Sequence, residues 1–222
     1  MIFLLTRIDG WSDWILGFLS KFIHATGHFV LAWVLGRPAI PIPFVFALPI
    51  VDKPLPIICI AVMVGLGYLI SLCRDNKKVM IPLCVLLALY PFIAFTRASD
   101  MFVSDGGVLF ELAGALGCFF LVLARPLQRP FERPLYAAIG WYLLLRRMIW
   151  TMMMLGNATY WITGGIFPTA TSSEAYHDLD TIQSAFNLPF KLILSVDFLL
   201  CLAVAPVAIW LARLWRERSG IG

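Results

Sequence analysis

Charge is what this sequence has least of. Asp, Glu, Lys and Arg make up 14% of its 222 residues, against about 25% in ordinary soluble domains, while 61% are apolar. That shortage excludes a soluble globular domain, and no stretch is polar for long enough to form a separate one. None of the five cysteines (Cys59, Cys73, Cys84, Cys118, Cys201) stands in a C-x-x-C spacing. A disulfide framework or a cysteine zinc site is therefore not expected, and they read as small packing residues. There is no G-x-S-x-G, no Gly-rich phosphate loop and no basic–aromatic patch, so nucleic acid is not an expected partner. No internal repeat is present. The opening Met1-Ile2-Phe3-Leu4-Leu5 lacks a basic n-region and a small-residue cleavage site, so the first long apolar run is expected to remain as a membrane anchor.

What the chain does have is long apolar runs, with a mean hydropathy of +0.88. A helix needs about 20 apolar residues to cross a bilayer. The candidates are Asp13–Gly36, Leu55–Cys73, Val79–Thr96, Gly106–Ala124, Leu135–Leu155 and Pro189–Ala212. The expected fold class is all-α: one integral membrane helical bundle over residues 1–222, with about six transmembrane helices. Short basic loops set its orientation. Arg7, Arg74, Lys77, Lys78, Arg125, Arg129, Arg133, Arg213, Arg216 and Arg218 fall on one side, and only Arg37, Lys53, Arg97 and Lys191 on the other. Both termini are thus expected in the cytoplasm, and the net charge of +4 tracks topology. The long loop Gly156–Leu188 holds Glu174, Asp178 and Asp180 without Lys or Arg, which places it outside. Within it, Ala170–Asp180 is a candidate surface helix capped by Ser172 or Ser173.

One apolar stretch does not fit a helix. From Pro38 to Pro56 prolines recur at 41, 43, 49 and 54, too densely for regular i→i−4 hydrogen bonding. Two readings stay open: an extended or re-entrant piece buried against the bundle, or an interfacial linker.

Ionisable groups inside a membrane are costly and call for a partner or a purpose. Besides Lys21, which can snorkel, these are His24, His28, Glu111, Arg146, Arg147 and Asp197. At about 1.5 Å per residue, His28, Arg146, Arg147 and Asp197 lie roughly 12–13 Å below the outer surface and Glu111 about 8 Å, with His24 one turn deeper than His28. Four helices thus place polar groups in one layer. His24 and His28 are i and i+4 on one helix and share a face. Gly107, Glu111 and Gly114 share another, where small residues let a neighbouring helix come close. Two His and one carboxylate form a common zinc set, so His24, His28 and Glu111 are the candidate metal ligands; the alternative is that they hydrogen-bond across helices. Haem is not expected, since histidines four apart on one helix cannot take opposite axial positions. Arg146 or Arg147 is expected to pair with Asp197 between the fifth and sixth spans, with a substrate carboxylate or Glu111 as the alternative partner. His177, with Asp178 and Asp180 in the outer loop, could cap the site from above or be solvated there.

His24-Ala25-Thr26-Gly27-His28 resembles the H-E-x-G-H helix of membrane-embedded zinc proteases of the site-2 protease type. It is more similar still to bacterial multi-span proteins in which that motif precedes a Gly-rich segment with a glutamate, then E-R-P-L-Y-A, then an acidic D-x-D loop. Here those are Gly106-Gly107 with Glu111, Glu132-Arg133-Pro134-Leu135-Tyr136-Ala137, and Asp178-Leu179-Asp180. The resemblance implies a zinc peptidase fold in the bacterial inner membrane, with His24 and His28 as ligands. The departures matter. Ala25 stands where the general base belongs, and such acid–base help is worth about 10²–10⁴-fold; no N-x-x-D or L-D-G ligand motif follows. The expectation is a metallopeptidase-like pseudoenzyme with no catalytic residue, which either binds zinc and recognises or scaffolds another membrane protein, or is a metal-free accessory subunit of a membrane complex.

Overall fold

A computed structural model of the protein describes residues 12–42, 46–51, 53–124, 131–156 and 189–219. Among them are seven helices and two short strands: α1 (Ser12–Val34), β1 (Ala39–Ile42), β2 (Phe46–Pro49), α2 (Pro56–Leu72), α3 (Lys77–Ala94), α4 (Ala98–Ser104), α5 (Gly106–Ala124), α6 (Glu132–Gly156) and α7 (Phe190–Ser219). Each of the six apolar runs is helical. Four helical stretches, Ile15–Val34, Lys77–Ala94, Gly106–Ala124 and Lys191–Glu217, are long and apolar enough to cross a membrane. Of the other two, α2 has only 17 residues, and α6 interrupts its apolar run with Arg146 and Arg147. Large apolar side chains face outward, including Ile57 (76% exposed), Phe92 (71%) and Leu199 (63%). A surface of this kind suits hydrocarbon rather than water.

The Pro-rich stretch is extended. Its two strands pair antiparallel, Ala39 opposite Pro49 and Ile42 opposite Phe46. A two-stranded hairpin has only edge strands, which is where prolines without an N–H are tolerated. Ala39 is buried and Ile40 exposed.

The chain divides into two compact units, Met1–His24 with Val108–Gly222, and Ala25–Gly107. In the first, Val108, Leu112, Ala115 and Phe119 of α5 recur at i+3/i+4 spacing and face Leu143 and Leu144 of α6 and Cys201, Val204 and Ala208 of α7, with Ile23 of α1 packed against them. Glycines set the closeness. The Cβ direction of Gly114 meets Leu143 and Ile23, and that of Gly140 meets Cys118 at 3.1 Å. In the second unit Leu35, Cys59, Tyr90 and Ala94 form a smaller core, and the Tyr90 hydroxyl donates to the Val34 carbonyl at 2.7 Å.

Gly106, where α5 starts, lies against the α1 main chain. An added Cβ would sit 2.9 Å from the Gly27 carbonyl oxygen and 3.2 Å from the His28 nitrogen, atoms that cannot swing aside. Gly106→Ala is expected to cost about 1–3 kcal/mol, read as a lower unfolding temperature in detergent. Gly65→Ala in α2, with nothing within 4 Å of its Cβ, is the control. It is expected to be neutral or to stabilise by up to about 1 kcal/mol, the usual penalty of helical glycine.

Candidate polar site

In the first unit Ser20 and His24 lie one turn apart on α1, and both reach Glu111 of α5. Ser20 Oγ donates to Glu111 Oε1 at 2.7 Å, and His24 Nδ1 stands 3.6 Å from the same oxygen. Ser20 is 1% exposed and Glu111 9%. Glu111 reaches α1 because Gly114, one turn along α5, carries no side chain to hold Ile23 off. The Glu111 carboxyl oxygen accepts from the Ser20 hydroxyl and stands against the His24 ring, which ties α1 to α5.

In the second unit His28 Nδ1 is 2.7 Å from the Val103 carbonyl oxygen. A carbonyl only accepts, so Nδ1 carries a proton and donates it. Nearby, Arg37 donates to Asp100 and, at 2.8 Å, to Ser99, joining the end of α1 to α4.

Asp197 takes one of the two arginines. Arg147 Nη2 lies 2.6 Å from Asp197 Oδ2, and the guanidinium stacks over Trp150 at 4.5 Å from the ring centre. The interhelical pair expected between the fifth and sixth apolar runs is therefore present between α6 and α7. Arg146, one residue earlier, is half-buried and has no ion-pair partner among the described residues.

Among the described residues, no group of three or more His, Cys, Asp or Glu is placed to hold a metal ion. His24 and Glu111 come together in one unit, while His28 is engaged by Val103 in the other. His177, Asp178, Asp180 and the candidate helix Ala170–Asp180 lie outside the described residues. All five cysteines are free. Sequence reasoning missed Ser20, although its i−4 spacing from His24 was a usable signal. It also missed the bond from Arg37 to Asp100, 63 residues away, for which no local signal exists. Compared with known protein families, curated proteins and solved structures, the chain matches none.

Proposed function

We propose that this is a six-span protein of the bacterial plasma membrane, forming one membrane domain with both termini in the cytoplasm. It has no peptidase activity and serves as a scaffolding or accessory subunit for other membrane proteins. The excess of Lys and Arg on one set of loops supports the topology. The observation that carries the function is the Ser20–Glu111–His24 contact. Glu111 is used to fasten α1 to α5, and Ala25 supplies no base. The test is purification in two mild detergents. A fixed partner at constant stoichiometry is expected in both, retained in His28→Leu, which removes the bond to the Val103 carbonyl. A protein that is monomeric and partner-free in both overturns the reading.

The ring contacts favour a second reading, in which the scaffold also holds zinc. The 3.6 Å between His24 Nδ1 and Glu111 Oε1 exceeds an ordinary hydrogen bond. It is close to the roughly 3.4 Å separating two ligands of one tetrahedral zinc at 2.0–2.1 Å. His24 and Glu111, together in one unit, would then be ligands. When bound, zinc would supply a structural cross-link. Metal analysis of purified protein is expected to find about one zinc per chain, lost in His24→Ala. Folded protein that never carries metal rejects this reading and leaves the scaffold untouched.

A further inference from the structure

Among the described residues four buried side-chain polar atoms have no hydrogen-bond partner: Arg146 Nη1, Arg147 Nε, Thr151 Oγ1 and Arg37 Nε. Three of them fall on residues 146–151 of α6. Thr151 is wholly buried and Arg147 5% exposed. Arg147 is pinned by Asp197 on one side and the Trp150 ring on the other, so its Nε cannot turn to another acceptor without breaking the pair. Thr151 follows Arg147 by one turn on the same helical face. An unmet buried donor is destabilising, and more so when it is charged. Native interiors leave few such groups, and each calls for an explanation.

The chemistry of the three atoms narrows what that is. Guanidinium nitrogens donate and never accept, and a threonine hydroxyl can donate. What these atoms call for is therefore an acceptor. Water would satisfy the donors yet leave the Arg146 charge unbalanced, whereas an anion meets both demands. A planar carboxylate matches the guanidinium fork best. Residues of α6 around Arg146 are apolar and outward-facing: Leu145, Ile149 and Met152. A carboxylate carried on a hydrocarbon chain could lie along them. Arg146, half-buried, borders that surface.

We propose that Arg146, Arg147 and Thr151 form a carboxylate-binding site, whose natural occupant is an amphiphilic carboxylic acid drawn from the bilayer. The full-length protein, purified in a neutral detergent, is tested by thermal unfolding in decanoate below its micellar concentration, with decanol and equal chloride as controls, and separately in acetate. Wild type is expected to rise by roughly 2–4 °C in decanoate over both controls. Thr151→Val and Arg146→Met each remove an unmet polar atom. They are expected to unfold higher than wild type without carboxylate and to lose the decanoate response. An equal response to acetate keeps the site and assigns it a water-soluble acid. Three results overturn the proposal: no carboxylate response in wild type, the same response in both variants, or variants less stable than wild type without carboxylate. If Arg146→Met does not fold, Thr151→Val, nearly isosteric, decides alone.

Discussion

Asp197→Ala is expected to destabilise the protein by about 3–5 kcal/mol, the usual consequence of stripping one partner from a buried ion pair. Both members are almost fully enclosed, Arg147 at 5% exposure and Asp197 at 3%, and they meet at 2.6 Å. Without the carboxylate, a guanidinium whose Nε already lacks a partner keeps only the Trp150 ring face for company. A cation–π contact is worth about 2 kcal/mol or somewhat more when desolvated, too little by itself to hold the charge in the core. The side chain then either drags water between α6 and α7 or drives them apart. The pair is not thereby a net source of stability, because both ions were desolvated to make it. Arg147→Met with Asp197→Leu is accordingly expected to unfold near or above the wild type. Chemical unfolding of the four proteins of that cycle in detergent measures the coupling directly. A loss below about 1 kcal/mol in Asp197→Ala matches the behaviour of exposed pairs and means that the pair is solvated. The enclosed geometry would then be wrong.

How much of this was legible beforehand depends on the range of each interaction. The bounds of α5, Gly106–Ala124, follow from an apolar run closed by Asp105 before it and Arg125 after it. The six helices were readable for the same reason, since burial against lipid or core needs only composition. The prolines between Pro38 and Pro56 excluded a regular helix, because missing N–H groups are a local fact, but left an extended piece and an interfacial linker equally open. Their pairing register was not readable: it depends on how Gly36 turns the chain and on where Phe46–Pro49 returns. Arg146 and Arg147 are neighbours differing by about 100° around α6. Both were fair partners for Asp197, and only the packing of α6 on α7 selects Arg147. The histidines show the limit most clearly. Their i, i+4 spacing suggested a shared ligand, but the acceptor that His28 Nδ1 faces is a main-chain carbonyl on Val103, which no pattern of side chains can announce. Glu111 was correctly brought to α1 by its glycine-bearing face, while its closest partner, Ser20, looked like one small residue in an apolar run.

Gly36→Ala is the second large effect, expected at roughly 2–5 kcal/mol, and two separable causes contribute. Gly36 has φ +78°, and a side chain in the left-handed region costs about 1–2 kcal/mol. The conformation is required by how α1 ends. Gly36 N–H donates to the Trp33 carbonyl at 3.0 Å and Arg37 N–H to the Ala32 carbonyl at 2.8 Å, the paired bonds of a helix closed by a left-handed residue. The second cause is space. A Cβ here would run into Cys59 Sγ and stand 3.3 Å from the Leu55 carbonyl oxygen, and Cys59 is completely enclosed. Overpacking of that kind costs a further ~1–3 kcal/mol. The disturbance would spread along a short chain of bonds. Leu55 N–H donates to the Gly36 carbonyl at 2.7 Å, fixing the start of α2, and Trp33 Nε1 donates to the Ala39 carbonyl at 2.8 Å, holding the first strand. The two causes come apart in the Cys59→Ala background. Without the sulfur, introducing alanine at position 36 should cost only the backbone share, about 1–2 kcal/mol. Gly36→Asn in that background should cost less again than alanine, since asparagine tolerates the left-handed region better. Equal costs for Gly36→Ala with and without Cys59 would mean that the sulfur is not against the turn. Equal costs for alanine and asparagine would mean that the turn is not left-handed.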